Sequence, residues 1–455
     1  MNKMKKIVLF FLLVFLPILT GCSESGEEEG TTSKEATQTE AVASEERTTQ
    51  ESDETAETST TADETAESST NMEDGTTEDA IAVTTPDGEV DTVTLDGMTR
   101  DILKNMTLEE KVGQMFVFGL DTLRTDGKTG KTKKVTKSIE NMMEVYRPGG
   151  IILYSKNMKN QKQTKQLISD LQANTRVPLF IGTEESGGEN GRIASVSGMK
   201  VEEYSDLSTL GENGNENATY DTAAGIASYM KELGFNVNFA PSADLAEEES
   251  DTSIKENSFG TDENTVSKLV SAFVKGTQDT GISSVLSTFP GLGAATGDTR
   301  KGAVDITKTI SQLRKTEFVP FTAGIKAGVD FIMVGHSSYS SITENQTPAS
   351  LSKLMVTEVL RKELQYDSII ITESMNERAI TDVYSVTNSV VKAVKAGADM
   401  LLYPGESGKK AYQAVLSAVK SGKITESRIE ESVTRILKVK IKRGLISLDT
   451  GLIEK

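Results

Sequence analysis

Short apolar runs and longer amphipathic stretches alternate along the chain from about residue 95 to its end. Short apolar runs bounded by turn-forming residues are typical of strands that are buried on both faces of a parallel sheet. Eight such runs, interleaved with helical patterns, favour an α/β fold of the (β/α)8 TIM-barrel type over an open doubly wound sheet. The predicted strands are 115–118, 150–154, 179–182, 236–239, 284–286, 331–334, 369–372 and 400–403.

The helices between these strands carry ordinary start and stop signals. Residues 107–110 (Thr-Leu-Glu-Glu) form a capping-box sequence at the start of the first helix. Gly397, Gly422 and Gly444 lie where helices should end. The other predicted helices are 160–172, 264–279, 310–327, 350–364, 388–396 and 409–419.

Polar residues leave the ends of several predicted strands. In a barrel of this type the functional residues lie at the C-terminal ends of the strands. Side chains from these ends are therefore expected to converge on one mouth. They are Thr183-Glu184-Glu185, Ala240-Pro241, Ser287-Thr288, Gly335-His336, Glu373-Ser374 and Pro404-Gly405.

The N-terminus has the layout of a secretory signal. Three lysines precede an apolar run at 7–18, which is too short to span a bilayer well. Residues 19–22 (Leu-Thr-Gly-Cys) resemble the bacterial lipobox, so we expect a signal peptide at 1–21 and a lipidated Cys22. The alternative is a plain signal with an incidental cysteine. The lipobox interpretation predicts an extracytoplasmic protein anchored to the bacterial cell membrane by its lipid.

A long acidic segment follows the signal. Residues 23–80 contain 19 acidic and 2 basic residues and almost no large apolar side chains, so we predict a disordered linker at 22–93. Most of the net charge of −19 lies there, which leaves a near-neutral barrel at 94–455. A near-neutral domain lacks the basic patch that nucleic-acid binding requires. With a single cysteine the chain forms no intramolecular disulfide.

Loop 286–302 follows the pattern K-H-F-P-G-H-G-(x)4-D-[ST]-H at Phe289, Pro290, Gly291, Gly293 and Asp298. In these residues the chain resembles glycoside hydrolase family 3, and specifically its β-N-acetylhexosaminidase branch. The resemblance covers most of 105–445 and implies a TIM barrel that hydrolyses glycosides. Further segments that carry it are 107–119, 149–153, 238–244, 258–261, 333–336, 347–352 and 396–402.

The resemblance places the family's catalytic roles on three residues of this chain. The family's nucleophilic aspartate corresponds to Glu373, which is one methylene longer. The acid/base pair of aspartate and histidine corresponds to Asp298 and Arg300. Because arginine stays protonated to about pH 12, it cannot act as an acid/base group, and we expect a static ion pair between Arg300 and Asp298. Loss of general acid/base catalysis typically lowers a rate by roughly 10²–10⁴-fold.

The resemblance also implies substrate-binding positions, and this chain departs from the family at each of them. The family's Lys-His pair corresponds to Ser287 and Thr288, its sugar-binding aspartate to Glu184, and two arginines to Ser195 and Asn257. Losing a lysine and two arginines is expected to weaken sugar binding.

Three glutamates are alternative proton donors if Glu373 acts as a nucleophile. They are Glu184, Glu185 and Glu189, and each is more simply interpreted as a solvated loop carboxylate. The glycine-rich segment 185–191 lacks a Walker pattern, so a phosphate site is not predicted.

The remaining polar candidates are favoured as structural. His336, the only histidine, matches a family histidine that is not the proton donor; a hydrogen-bonded structural role is favoured and a substrate contact comes second. Asn376 and Glu377 are interpreted as loop residues and Arg192 as an ion-pair partner. No cluster has metal-ligand spacing, and no metal or cofactor is predicted.

Three hypotheses follow. The first is a surface lipoprotein whose family 3 barrel hydrolyses poorly or not at all and binds a glycan, such as an N-acetylglucosamine-containing wall fragment. The second is an active retaining glycosidase with Glu373 as nucleophile. The third is a non-catalytic interaction scaffold whose mouth is filled by side chains. The sugar, the protein partner and the oligomeric state are not determined by the sequence.

Overall fold

The computed structural model describes residues 80–84, 90–124, 131–188 and 191–447. These residues all belong to one unit, Asp74–Lys455. The predicted signal peptide, Cys22 and most of the predicted linker lie outside the described residues, as does Glu189. Among the helices that are described, none is both long and apolar enough to cross a membrane.

The last part of the predicted linker differs from the prediction. Strand β1, Ala80–Thr84, pairs with strand β2, Val90–Thr94, in an antiparallel ribbon. Ile81 and Val93 face each other in its register, and β-branched residues of this kind favour strands. The acidic residues on which the linker prediction rests lie mainly before residue 80, whereas this segment has the local sequence pattern of two short strands.

The eight predicted strands form one parallel sheet in the order β10-β3-β4-β5-β6-β7-β8-β9. A parallel bridge between Ile371 and Met400 joins the last of these strands to the first and closes the ring. The predicted (β/α)8 barrel is therefore confirmed. The strands are β3 Phe116–Gly119, β4 Gly150–Ile152, β5 Phe180–Thr183, β6 Val237–Asn238, β7 Ser283–Phe289, β8 Phe331–Val334, β9 Ile369–Thr372 and β10 Leu401–Tyr403.

Fourteen α-helices within the described residues precede, connect and surround these strands, together with a π-helix at Leu354–Glu363. They are α1 Leu95–Lys104, α2 Leu108–Gln114, α3 Lys137–Tyr146, α4 Gln161–Ala173, α5 Leu207–Asn213, α6 Glu216–Leu233, α7 Thr252–Glu256, α8 Glu263–Asp279, α9 Ile310–Lys315, α10 Phe318–Lys326, α11 Arg378–Thr381, α12 Val386–Ala396, α13 Gly408–Lys420 and α14 Glu426–Lys442.

The predicted helix boundaries rest on local chemistry that the structure contains. Thr107 accepts a hydrogen bond from the backbone of Glu110, whose side chain accepts one from Thr107 in return, so the capping box at α2 is complete. Gly397 ends α12 in the left-handed region with φ 119°, a conformation that glycine adopts without a Cβ penalty.

Strand β7 is longer than its predicted counterpart. The prediction ended it at 286, whereas the structure continues it to Phe289, with a shift of register against β8 between Leu286 and Phe289. Ser287 and Thr288 therefore lie within the strand, and the peptide bond between them is cis. This extension carries both residues into the mouth of the barrel.

The last helix, α14, holds the barrel from outside through buried ion pairs. Asp399 accepts charged hydrogen bonds from Arg435 of α14 at 3.1 Å and from Arg361 of the π-helix at 2.6 Å. Lys440 of α14 is fully buried, donates to Gln114 at 2.6 Å and lies over the ring of Phe180. Buried polar groups of this kind require partners, and these contacts fix α14 against the strands.

Candidate functional site

A solvent-open cavity of about 550 Å³ lies at the C-terminal ends of the barrel strands. Its size suits a small ligand. The side chains of Phe239, Met333 and Leu402 are apolar residues of its wall. The polar residues that line it include seven with a formal charge: Glu184, Arg192, Asp244, Asp298, Arg300, Glu373 and Glu377.

Most of the sequence-predicted site residues lie in this cavity. Glu184 follows β5 and pairs with Arg192 at 2.9 Å, as expected for an ion-pair partner. The cavity is also lined by Asn257, Ser287 and Thr288. The cavity therefore brings together predicted residues from four different parts of the chain.

Two predicted substrate-binding residues do not line the cavity. Ser195 is exposed, and its hydroxyl lies 3.3 Å from that of Ser155, outside the cavity. His336 is buried, with Nδ1 2.7 Å from the Ser350 hydroxyl and Nε2 3.1 Å from the Ser374 carbonyl. Its ring is occupied by these two contacts, which agrees with the structural role that the sequence favoured.

The Arg300–Asp298 ion pair is present. Arg300 Nε donates to Asp298 Oδ1 at 2.8 Å, the Arg300 backbone amide donates to the same oxygen at 2.9 Å, and Lys301 lies 3.3 Å from the other oxygen. The hydrogen bond from Arg300 is the main reason that the pKa of Asp298 falls to about 2. Neither member of the pair has a proton to exchange near neutral pH.

Glu373 leaves the end of β9 and faces the cavity. Its Oε2 accepts a hydrogen bond of 3.1 Å from the backbone amide of His336. Burial raises the pKa of Glu373 well above its ordinary range, and the neighbouring carboxylate of Glu377 raises it further. Among the described residues no lysine or arginine forms an ion pair with it. The substitution of the family's lysine by Ser287 fits this lack of a cation.

Glu377 was interpreted from the sequence as a loop residue, but the structure places it in the same cavity. It is the N-cap residue of α11, and its side chain lies beside Thr299. Burial raises the pKa of Glu377 to about 7. Its position four residues after Glu373 was the only sequence signal that pointed to it.

Asp244 is a second cavity residue whose position the sequence did not explain. It is buried, and its carboxylate accepts a hydrogen bond of 2.7 Å from the Leu292 amide and one of 2.8 Å from the Ser242 hydroxyl. Burial raises the pKa of Asp244 to about 6. The bond from Leu292 ties the loop after β6 to the loop after β7, and the backbone of Thr288 also lies beside this carboxylate.

Glu185 is not an available proton donor. Its carboxylate is buried and accepts hydrogen bonds from the Ile193 and Ala194 amides and, at 2.7 Å, from the Tyr229 hydroxyl. These bonds hold the loop that carries Arg192 to the cavity.

A family model described as "Glycosyl hydrolase family 3 N terminal domain" matches residues 107–439. The chain belongs to glycosyl hydrolase family 3. The resemblance predicted from the sequence is thereby confirmed, and the domain is β-N-acetylhexosaminidase-like.

Individual relatives agree with this assignment. The family 3 chain is 27% identical over 332 residues to Beta-hexosaminidase A of Pseudoalteromonas piscicida, covering 67% of this chain and 55% of the relative. It is 30% identical over 277 residues to Beta-hexosaminidase LpqI of Mycobacterium tuberculosis, covering 58% of this chain and 68% of that protein. A solved family 3 beta-N-acetylglucosaminidase from a Paenibacillus species superposes with a TM-score of 0.69 at 30% identity, covering 77% of this chain and 66% of that one. The chain thus spans little more than half of one of these curated relatives.

Proposed function

We propose that this chain is an extracytoplasmic lipoprotein whose barrel binds a glycan that contains N-acetylhexosamine and hydrolyses it far more slowly than an intact family 3 enzyme. The substrate class follows from the relatives, which are named as β-hexosaminidases. The lipid anchor follows from the sequence at 19–22.

One observation is the main support for slow hydrolysis. The position of the family's acid/base histidine holds Arg300, which is bound to Asp298 at 2.8 Å. Retaining hydrolysis needs one group that gives a proton to the leaving oxygen and later takes one from water. Arginine has no acceptor and does not lose its proton in this pH range. The open, polar cavity favours glycan binding and argues against the third hypothesis, a scaffold with a filled mouth.

Slow hydrolysis still requires a nucleophile, and Glu373 is the residue at that position. Its carboxyl group faces the cavity from the end of β9. A mechanism-based 2-fluoro sugar should therefore label Glu373, and Glu373→Gln should abolish turnover. Labelling of another residue would contradict this assignment.

The test combines turnover with binding. Hydrolysis of 4-nitrophenyl N-acetyl-β-glucosaminide should run at least about 10²-fold below a typical kcat of roughly 10 s⁻¹. Calorimetry should detect binding of N-acetylglucosamine oligomers by the same protein. Turnover at ordinary rates would contradict impaired hydrolysis, and no heat of binding across oligomer lengths would contradict the glycan site.

A matched pair of variants tests whether the glycan binds in the cavity. Asn257→Trp places an indole in the cavity, so it should abolish oligomer binding. Ser195→Trp adds the same bulk at an exposed position outside the cavity and should leave binding unchanged. Circular dichroism checks that both variants fold. Equal effects of the two variants would place the glycan elsewhere.

A further inference from the structure

Glu377 lies beside the loop that supplies the acid/base residue in the resemblance to family 3. Thr299, between Asp298 and Arg300, lies beside the Glu377 side chain. The backbone carbonyl of Thr299 also accepts a hydrogen bond of 2.9 Å from the amide of Ala379 in α11. Two contacts therefore join Glu377 and its helix to the position where the family's histidine would stand.

One oxygen of the Glu377 carboxyl group has no hydrogen-bond partner among the described residues. This oxygen, Oε2, is buried. Buried polar atoms are almost always hydrogen-bonded, and an exception in a native structure calls for an explanation. Glu377 is a lining residue of the cavity, so a bound ligand can supply the partner that the described protein groups do not.

The other carboxylates of the cavity are already engaged. Glu184 is paired with Arg192, Asp298 with Arg300, and both oxygens of Asp244 accept hydrogen bonds. Glu377 alone among these described groups combines a free oxygen with a proton that it can exchange near neutral pH. A general acid works best when its pKa lies near the working pH.

We propose that Glu377 is the general acid/base of this chain and takes the role that Arg300 cannot perform. The inference rests on the slow hydrolysis proposed above. In the first step an oxygen of the Glu373 carboxylate bonds to the anomeric carbon, the glycosidic C–O bond breaks, and the Glu377 proton moves to the leaving oxygen. In the second step Glu377 takes a proton from water, the water oxygen bonds to the anomeric carbon, and the bond to Glu373 breaks. One water is consumed, and the free sugar and alcohol are released.

The two carboxyl groups must carry different charges for this reaction. The productive form needs an ionised Glu373 and a protonated Glu377. Burial raises the pKa of both groups, and the Glu377 carboxylate raises that of Glu373 further. The two groups therefore titrate as a pair, and the reacting state is the singly protonated one with its proton on Glu377.

The leaving group separates a catalytic from a structural role for Glu377. A 2,4-dinitrophenyl glycoside needs no protonation to leave, whereas a chitobiose linkage does. Glu377→Gln should therefore lower kcat/KM on chitobiose by roughly 10²–10⁴-fold and change it little on the dinitrophenyl glycoside. Azide should raise turnover of the dinitrophenyl substrate by the variant and yield the β-glycosyl azide, because the anion needs no base.

Glu184→Gln is the matched control, since it removes a different cavity carboxylate. Its effect should be similar for both substrates and insensitive to azide. Equal losses on both substrates by Glu377→Gln, without azide rescue, would overturn the role of Glu377 and leave slow hydrolysis standing. If the unmodified protein cleaves neither substrate, both the role of Glu377 and residual hydrolysis are overturned, and glycan binding is judged by calorimetry alone.

Discussion

Arg300 and the histidine that the family has at this position differ in whether they release a proton near neutral pH. A histidine beside Asp298 would titrate near 6.5, whereas the Arg300 guanidinium stays charged. We therefore expect Arg300→His to raise kcat/KM on 4-nitrophenyl N-acetyl-β-glucosaminide by about 10-fold or more. The gain falls short of full activity, because the sugar-contacting cations are still missing.

Lys301→His is the control for this gain, because it places a histidine on the same loop next to the other oxygen of Asp298. Lys301→His should leave kcat/KM on the same substrate at the low value of the unmodified protein. A gain from Lys301→His equal to that from Arg300→His would show that position 300 has no special role, and no gain from either would show that the missing histidine is not what limits the rate.

His336 gives a second prediction at the scale of one residue. Burial lowers its pKa to about 4, whereas the unfolded chain binds that proton near pH 6.5. As the pH falls from 6.5 to 4 the unfolded state is favoured, and the folded state loses about 3 kcal/mol of stability through this group. Below about pH 4 both states are protonated and the loss stops.

Because His336 is the only histidine, a protein without a purification tag gives the NMR signals of one imidazole ring. These signals should titrate with a midpoint near pH 4. Urea unfolding of His336→Gln should show a smaller decline in stability between pH 6.5 and 4 than the unmodified protein. A titration midpoint near 6.5 would contradict the buried, neutral state.

The loop 184–195 is the element that brings Arg192 to the cavity, and Glu185 holds it. Glu185→Ala would leave the Ile193 and Ala194 amides and the Tyr229 hydroxyl without their acceptor. Unsatisfied buried donors are costly, so we expect a loss of roughly 3 kcal/mol in urea unfolding. Glu184→Ala breaks only a partly exposed ion pair and should cost less than about 1 kcal/mol. Similar losses of stability for the two variants would contradict the role of Glu185 in holding the loop.

The strands and helices could be predicted where the sequence pattern that specifies them is local. All eight barrel strands were found within a few residues, because buried parallel strands are continuous apolar runs. The extension of β7 was not found, since Ser287 and Thr288 are polar, Ser287 pairs with Ser242 after β6, and pairing with β8 resumes only at Phe289. Glu377 was missed for the same kind of reason: its burial depends on contact with Thr299, which lies 78 positions earlier in the chain.

At the scale of the whole molecule, the helices outside the barrel decide how its ring is held closed. Asp399 precedes β10 and lies beside the junction of β9 and β10, where its carboxylate also accepts a hydrogen bond of 3.0 Å from the Ile370 amide. Charged residues from two separate helices converge on it. The sequence did not reveal this cluster, because its members are spread from Arg361 to Arg435 and each has an unremarkable helical context.

Asp399 should therefore be among the residues on which the stability of the whole barrel depends. Asp399→Ala leaves Arg361 and Arg435 partly buried without their carboxylate, and breaking a buried ion pair typically costs about 3–5 kcal/mol. Asp382→Ala is the matched control, since it breaks an exposed pair with Arg378 within one helical turn, worth less than about 0.5 kcal/mol. Urea unfolding followed by circular dichroism measures both. If Asp399→Ala unfolds outright, Asp399→Asn, which keeps hydrogen-bond acceptance, should fold with an intermediate loss. Equal midpoints for Asp399→Ala and Asp382→Ala would show that the ring is held closed by its apolar packing alone.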